Sequence, residues 1–459
     1  MAKQVADGVH APLPGRCSFY VDRKKRFCKM IVAHGKTVCG EHMSAVRKEE
    51  GDRKRIPCPL DPKHTVFEDK LEKHLKKCNS RVKPKPVYFI QDINAGQEAD
   101  ADADVKQIPL ASRSKEDLAS FIKTLKQVTA GLNCDYADQT LSHPALQEAL
   151  SDNKNGDSAI KHLKQQASLL GNMDRLGLLG PNRCFVEFGA GRGKLSHWVD
   201  IALRDVSNVH FLLVERATTR FKVDGKHQGS TSVFERLQVD IQHLCLAKVP
   251  LLMKEHLPVI GIGKHLCGAA TDLALRCLLR DCHVAAGEPS PKRTRWDCGC
   301  TNPPSPAKQP ELCISGVAIA LCCHHRCDWK HYVGQEFFKS QGLGAEEFGV
   351  FQRMSSWATC GMRGQAEEFE EHDQDEENAL RDVEGILTPS EREHLGRLCK
   401  LLIDQGRVQY LRERGYDASL MYYTSPAVSL ENVVLTAVPI RGQEAAAVLA
   451  ADKTNLGVI

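Results

Sequence analysis

Long apolar runs are missing from this 459-residue chain, in which no uninterrupted stretch approaches the ~20 residues that a membrane-spanning helix needs. The first thirty residues also lack the apolar region and small-residue cleavage site of a secretory signal. We therefore expect a nuclear or cytoplasmic protein with no membrane partner. Disulfides are rare in those compartments, so the 19 cysteines are expected to be buried thiols, metal ligands or catalytic thiols.

A large excess of charge of one sign is also absent, because the formal net charge is only +4. Residues 1–86 nevertheless hold 21 Lys/Arg against 10 Asp/Glu, which leaves the rest of the chain acidic. This basic part favours a polyanion such as nucleic acid as its ligand, the alternatives being a solvated surface or a nuclear-import signal. Nothing in the sequence indicates an obligate protein partner.

Composition changes divide the chain into modules, as expected for about three times the usual domain length. We assign residues 1–48 and 54–82 to two small metal-dependent modules, 83–113 to a linker, 114–180 to a helical segment and 181–459 to an α/β domain. In this last domain, short apolar runs at 184–188, 209–214, 237–239, 259–262, 315–321 and 432–438 alternate with helical patterns. Such alternation predicts a mostly parallel sheet with helices on both faces. Solvated insertions are expected near 285–311 and 364–378.

Two sets of cysteine and histidine residues have spacings typical of zinc sites. The first is Cys17, Cys28, Cys39 and His42, with His34 as a competing ligand, and the second is Cys58, His64, His74 and Cys78. Thiolate and imidazole groups bind zinc tetrahedrally, and an ion at each set would organise a segment that is poor in apolar residues. The sequence therefore predicts two zinc ions, with His74 and Cys78 on one face of a helical stretch at 67–77.

A glycine-rich turn follows the first predicted strand of the α/β domain. It contains Gly189, Gly191 and Gly193 and is preceded by Glu187, while Glu215 and Asp240 follow the next two strands. The two later carboxylates suit ribose hydroxyls and an adenine amine. The acid-x-Gly-x-Gly-x-Gly pattern resembles the first motif of class I S-adenosylmethionine-dependent methyltransferases, which implies a Rossmann-like fold and S-adenosylmethionine as cofactor. A carboxylate at Glu187 disfavours the pyrophosphate of a dinucleotide.

Two clusters of polar residues follow the fourth and fifth predicted strands. The first contains Lys264, His265 and Cys267, and the second is the run Cys322, Cys323, His324, His325, Arg326 and Cys327. The carboxyl ends of parallel strands share one edge of the sheet, so we expect both clusters beside the glycine turn. The three histidines are the candidate general bases, and Lys264 and Arg326 could stabilise an oxyanion or a phosphate. A third metal site, formed by Cys267 with Cys322, Cys323, His324 or Cys327, is a further hypothesis.

The stretches 264–272 and 322–329 follow a three-Cys-one-His finger and a Cys-His-His-Cys finger in the sequence. Together these four motifs resemble the motifs of eukaryotic tRNA ribose methyltransferases that act on nucleotide 4 of the acceptor stem. The resemblance implies transfer of a methyl group to the ribose 2′-hydroxyl of tRNAs such as those for glycine, proline and histidine. Two alternatives stay open: a non-catalytic RNA-binding adaptor, and an RNA base methyltransferase with Cys322 or Cys323 as nucleophile.

Overall fold

The computed structural model describes residues 14–21, 26–40, 42, 55–78, 80–81, 84–96, 108–132, 136–217, 232–280, 312–360 and 387–440. The chain divides into two compact units, Met1–Lys85 and Pro86–Ile459. Both predicted insertions, 285–311 and 364–378, lie outside the described residues. Among the described helices, none is long and apolar enough to cross a membrane.

The first unit contains two small antiparallel hairpins. Strands β1 (Tyr20–Val21) and β2 (Arg26–Phe27) form one, and β3 (Arg55–Cys58) and β4 (Asp61–Phe67) form the other. A 3-10 turn at Glu68–Lys70 and the short helix α1 (Leu71–Leu75) follow β4, so the predicted helical stretch at 67–77 is only partly α-helical. Buried cysteines take the place of an apolar core: Cys58 and Cys78 pack with Val66, and Cys17 and Cys39 are also buried.

The second unit is built around an eight-stranded sheet with the order β5-β11-β12-β10-β9-β6-β7-β8. Its strands are β5 (Ala137–Asp138), β6 (Arg183–Phe188), β7 (Val209–Val214), β8 (Val233–Leu237), β9 (Val259–Cys267), β10 (Ile314–Cys322), β11 (Tyr416–Tyr422) and β12 (Val433–Pro439). Strands β6 to β10 pair in parallel with one another, whereas β12 runs antiparallel to both of its neighbours, β10 and β11. The predicted α/β class with a mostly parallel sheet is confirmed.

Helices cover both faces of this sheet. They are α2 (Lys115–Thr129), α3 (Gln147–Ser151), α4 (Asp157–Arg175), α5 (Lys194–Ala202), α6 (Pro250–Glu255), α7 (Ala270–Leu279), α8 (Gln335–Ser340), α9 (Ala345–Met354), α10 (Trp357–Cys360) and α11 (Pro389–Arg412). Alternate strand residues enter opposite cores, as the period of two requires: Val186 and Phe188 pack on one side, and Phe185 on the other. Thr388 begins α11 with a capping box that it forms with Glu391.

The structure corrects two predictions about elements and adds one strand. The sequence predicts a strand at 237–239, but β8 occupies Val233–Leu237. It lies at the edge of the sheet, where charged side chains such as Glu235 and Arg236 are tolerated, so its sequence does not stand out as an apolar run. Strand β11 was not predicted. Part of the predicted linker is packed on the second unit, where the Asn94 side chain donates hydrogen bonds to the backbone carbonyls of Ile241 and Leu244 at 2.6 and 2.8 Å.

Candidate active site and metal clusters

The first metal cluster lies around the β1–β2 hairpin. Cys17, Cys28, Cys39 and His42 hold their donor atoms within 4.8 Å of one another. Nδ1 of His42 is 3.5 Å from Cys17 Sγ and 3.4 Å from Cys39 Sγ. A tetrahedral zinc ion with Zn–S of about 2.3 Å and Zn–N of about 2.1 Å separates such ligands by roughly 3.6 Å. The geometry therefore fits zinc, and the competing ligand His34 is exposed and outside the cluster.

The second cluster joins β3 and β4 to the turn after α1. The Sγ atoms of Cys58 and Cys78 are 3.8 Å apart, and the Nε2 atoms of His64 and His74 are 3.1 Å apart. Cys58 Sγ lies 3.2 Å from His74 Nε2, and Cys78 Sγ lies 3.7 Å from His64 Nε2. The backbone N–H of Cys78 donates to the carbonyl of His74, which places these ligands one helical turn apart. All four donors converge as a tetrahedral ion requires.

The glycine turn, residues 189–193, lies at the carboxyl end of β6 and is called here the cofactor loop. Gly189, Gly191 and Gly193 all have positive φ, of 60°, 50° and 71°. A side chain at Gly193 would place its Cβ 2.6 Å from Leu213, whereas a Cβ at Gly191 would meet no atom closer than 4.0 Å. The cofactor loop therefore packs tightly against Leu213 at Gly193 and leaves open space at Gly191. In an open sheet, a cofactor at the switch point occupies a space of this kind.

Glu187 fastens the cofactor loop to the helix that follows it. Its Oε2 accepts hydrogen bonds from the Ser196 backbone N–H at 2.9 Å and from the Ser196 hydroxyl at 2.5 Å. Burial raises the pKa of Glu187 to about 7, against the lowering effect of the Ser196 hydrogen bonds and of Arg236. The carboxyl group is therefore only partly ionised near neutral pH, and its predicted contact with a cationic cofactor stays a prediction.

Glu215 and Asp240 lie at the same edge of the sheet, after β7 and β8. Glu215 accepts hydrogen bonds from the backbone N–H groups of Gly191 and Ala217, both at 2.9 Å, so it fixes the centre of the cofactor loop. Asp240 caps a 3-10 turn by accepting from the N–H of Gln242 at 3.0 Å. The structure brings both carboxylates to the edge where the sequence predicted them, and their cofactor contacts stay predictions.

Lys264 lies next to the cofactor loop. It follows Gly263, which pairs with Phe188 of β6, and the charges of Glu187 and Lys194 act on its amine. Burial lowers the pKa of Lys264 to about 8. Its Nζ is 3.3 Å from Nδ1 of His162 on α4, a residue that sequence reasoning missed because it lies 102 positions away within an amphipathic helix. Burial and the charge of Lys264 also lower the pKa of His162.

The ends of β9 and β10 meet, as the sequence predicted. Cys267 and Cys322 are register partners, and a side chain at Gly268 would place its Cβ 2.3 Å from the carbonyl oxygen of Arg326. The Sγ atom of Cys267 is 3.4 Å from that of Cys322 and 3.3 Å from that of Cys323. The structure therefore assembles a cluster of three thiols, Cys267, Cys322 and Cys323, which we call the thiol cluster.

His324 points away from this edge into the protein. It is 1% exposed, and its Nε2 lies 2.8 Å from Oδ1 of Asp404 on α11. Arg407 pairs with Asp404 at 2.9 Å and with Asp272 at 2.7 Å, and all of these side chains are buried. A histidine held in this way anchors α11 to the end of β10. Its predicted role as base is untested, and the geometry gives no support for it.

The remaining predicted residues differ in accessibility. His325 is half-buried and Arg326 is exposed. His265 lies in β9, but its side chain is outside the part of the chain that the structure describes. Cys327 is buried and accepts a hydrogen bond from Arg407 at 3.0 Å, so it is turned away from the thiol cluster.

Comparison with known proteins gives matches along most of the chain. The sequence model described as methyltransferase TRM13 matches residues 164–438. A CCCH zinc finger in TRM13 protein matches residues 15–43, and a U11-48K-like CHHC zinc finger matches residues 55–79.

Three relatives carry the same printed activity. The mouse tRNA:m(4)X modification enzyme TRM13 homolog is 58% identical and the human one 57%, each over 93% of this chain and 95% of the relative. The Saccharomyces cerevisiae tRNA:m(4)X modification enzyme TRM13 is 30% identical over 92% of this chain and 95% of that protein.

Proposed function

This chain belongs to the TRM13 methyltransferase family, and on that premise we propose that it is an S-adenosylmethionine-dependent tRNA 2′-O-methyltransferase. The proposed target is the ribose of nucleotide 4 in the acceptor stem of tRNAs such as those for glycine, proline and histidine. The modification named for the mouse and human relatives is an m(4)X change of tRNA. The ribose as the methylated group rests on the motif resemblance and on the site.

The observation that carries the proposal is the position of Lys264. Its amine lies beside the cofactor loop, 3.3 Å from His162, and burial lowers its pKa to about 8. A ribose hydroxyl needs a base near the reacting oxygen, and the most effective base titrates near the working pH. The pKa of Lys264 and its place beside the cofactor loop support it as this base, whereas His324 is buried against Asp404.

The cofactor loop fits S-adenosylmethionine, which supplies an electrophilic methyl group when bound. In this proposal the ligand enters the open space at Gly191, and Glu215 and Asp240, which lie at the same edge of the sheet, recognise its ribose and adenine. The residues of this chain then orient the 2′-oxygen and remove its proton: neutral Nζ of Lys264 accepts that proton, and Nδ1 of His162 holds the amine in place. Positioning of this kind supplies several kcal/mol of the barrier reduction.

We infer that the two fingers bind zinc and contact the tRNA backbone. Lys73, Lys76 and Lys77 are exposed along and just after α1, which supports phosphate binding by the second finger. The deep major groove of A-form RNA hides base edges from side chains, so contacts to phosphate and helix shape are expected to dominate. Arg26 of the first finger is also exposed.

The proposal is tested by a radiolabelled methyl-transfer assay on total tRNA that lacks the modification, followed by nuclease digestion. Label in a ribose-methylated dinucleotide from the acceptor stem is the expected result. A Gly191→Trp variant, in which the open space of the loop is filled, is the matched control and should give no label. Label on a base would overturn the ribose assignment, and cofactor binding without any transfer would favour a non-catalytic adaptor.

A further inference from the structure

The thiol cluster at the ends of β9 and β10 is not used by the proposed methyl transfer. Its three Sγ atoms lie within 4.8 Å of one another, with separations of 3.3 and 3.4 Å from Cys267 to its two partners. A disulfide bond would bring two of these atoms to about 2.05 Å, and all three cysteines are free thiols. The three thiols are therefore gathered in one place without being bonded to one another.

The two zinc-finger clusters of the same chain provide an internal reference. The like pair of atoms in the second finger, Sγ of Cys58 and Sγ of Cys78, is 3.8 Å apart, and the two separations in the thiol cluster are 0.4 to 0.5 Å shorter. The three thiols therefore converge as closely as the cysteines of a set that matches a zinc-finger family, and a small outward shift of their side chains would bring them to zinc-binding separations. Three thiolates with one open position are also an established arrangement of ligands for a soft metal ion.

The backbone at Cys323 is strained in a way that serves this convergence. Cys323 has φ 49° and ψ 49°, a left-handed conformation that is unfavourable for a residue with a side chain. Neighbouring residues of a strand project to opposite faces, so Cys322 and Cys323 could not both reach Cys267 if β10 simply continued. The left-handed turn brings the second thiol back to Cys267, and strain of this kind is concentrated where ligands are held.

The surroundings of the cluster suit a bound ion. Cys322 is buried and Cys267 is exposed, so an ion there would be enclosed on one side and open to solvent on the other. Arg326 lies close enough to act electrostatically on Cys267, and its positive charge offsets the net negative charge of three thiolates around a divalent ion. The Cys323 backbone N–H donates a hydrogen bond to the Glu431 carboxylate at 3.2 Å, which stabilises the left-handed turn at Cys323.

We propose that Cys267, Cys322 and Cys323 bind a third zinc ion, which ties the end of β9 to the end of β10 and leaves one coordination position open. His324 and Cys327 are excluded as ligands because Asp404 and Arg407 hold them elsewhere. This site is separate from both fingers and does not depend on methyl transfer. It also removes Cys322 and Cys323 as free nucleophiles, which counts against a cysteine-dependent base methyltransferase.

The test is the zinc content of the full-length chain, loaded with zinc under anaerobic reducing conditions, freed of excess metal by gel filtration and measured by mass spectrometry of the element. Three zinc ions per chain are expected for the wild type and two for Cys267→Ala, a substitution at an exposed side chain that leaves the buried core intact. The matched control is Cys313→Ala, an exposed free cysteine before β10, which should keep three. Cys17→Ala and Cys58→Ala should each lose one ion, which shows that both fingers are loaded.

Two results would overturn the proposal. One is a wild-type content of two ions, while each finger variant still loses one. The other is a content of three ions that Cys267→Ala leaves unchanged.

Discussion

The protonation of Lys264 should control the rate of methyl transfer. Burial lowers its pKa from 10.5 to about 8. The neutral fraction of the amine is then about one quarter at pH 7.5, compared with about 0.1% for a lysine of ordinary pKa. If neutral Lys264 accepts the proton of the 2′-hydroxyl, the rate should rise about eightfold from pH 6.5 to 7.5, and by less than about 1.5-fold from pH 8.5 to 9.5.

The assay is single-turnover methyl transfer, with the protein in excess over unmodified tRNA and with saturating S-adenosylmethionine, from pH 6 to 9.5. Lys264→Met should lower the rate about 100-fold or more, within the range that general-base catalysis supplies, and should abolish the pH dependence. Lys254→Met is the matched control, because Lys254 lies on the surface of α6 with its side chain 80% exposed. A flat profile in the wild type, or near-normal turnover by Lys264→Met, would refute this assignment of the base.

Three further predictions concern the folded state and the fingers. Because burial raises the pKa of Glu187 to about 7, the stability that its protonated form contributes is complete below pH 4.5 and is lost as pH rises through 7. In urea titrations from pH 4.5 to 8, the unfolding free energy of the wild type should therefore fall by up to about 3 kcal/mol more than that of Glu187→Gln. Equal falls in the two proteins would contradict this. Arg407→Leu removes the buried guanidinium that pairs with Asp272 and Asp404, leaves Asp404 with His324 alone, and should lower the unfolding free energy at pH 7 by about 3–5 kcal/mol. A loss below about 1 kcal/mol would contradict this. Cys58→Ala should abolish the fold of the second finger and lower tRNA affinity, while S-adenosylmethionine binding measured by calorimetry stays unchanged; unaltered tRNA affinity would contradict a role of this finger in binding.

The predictions that succeeded rest on local patterns. The four ligands of each zinc finger lie close together in the sequence, and the structure brings each set of four together as its spacing predicts. The glycine triad is likewise a local signal, because a turn between a strand and a helix that needs positive φ at three positions selects glycine. The parallel topology then places the ends of β9 and β10 together without any further information.

The predictions that failed or stayed untested depend on contacts between distant parts of the chain. His162 approaches Lys264 from α4, and Asp404 approaches His324 across 80 positions of sequence. The hydrophobic periodicity of a sequence does not indicate which distant residues will meet in such pairs. A run of adjacent histidines cannot show which one turns inward, since that choice depends on the carboxylate that α11 brings to His324 and on the left-handed turn at Cys323.

The position of β12 has a consequence for synthesis of the protein on the ribosome. This strand lies between β10 and β11, although both are translated before it. Until residues 433–439 have emerged, the outer edge of β10 lacks its neighbour and β11 has no strand that connects it to the parallel half of the sheet. A nascent chain therefore carries the open edge of β10 from the synthesis of Cys322 until residues 433–439 have emerged, and a premature stop upstream of Val433 would release a product prone to edge-to-edge aggregation.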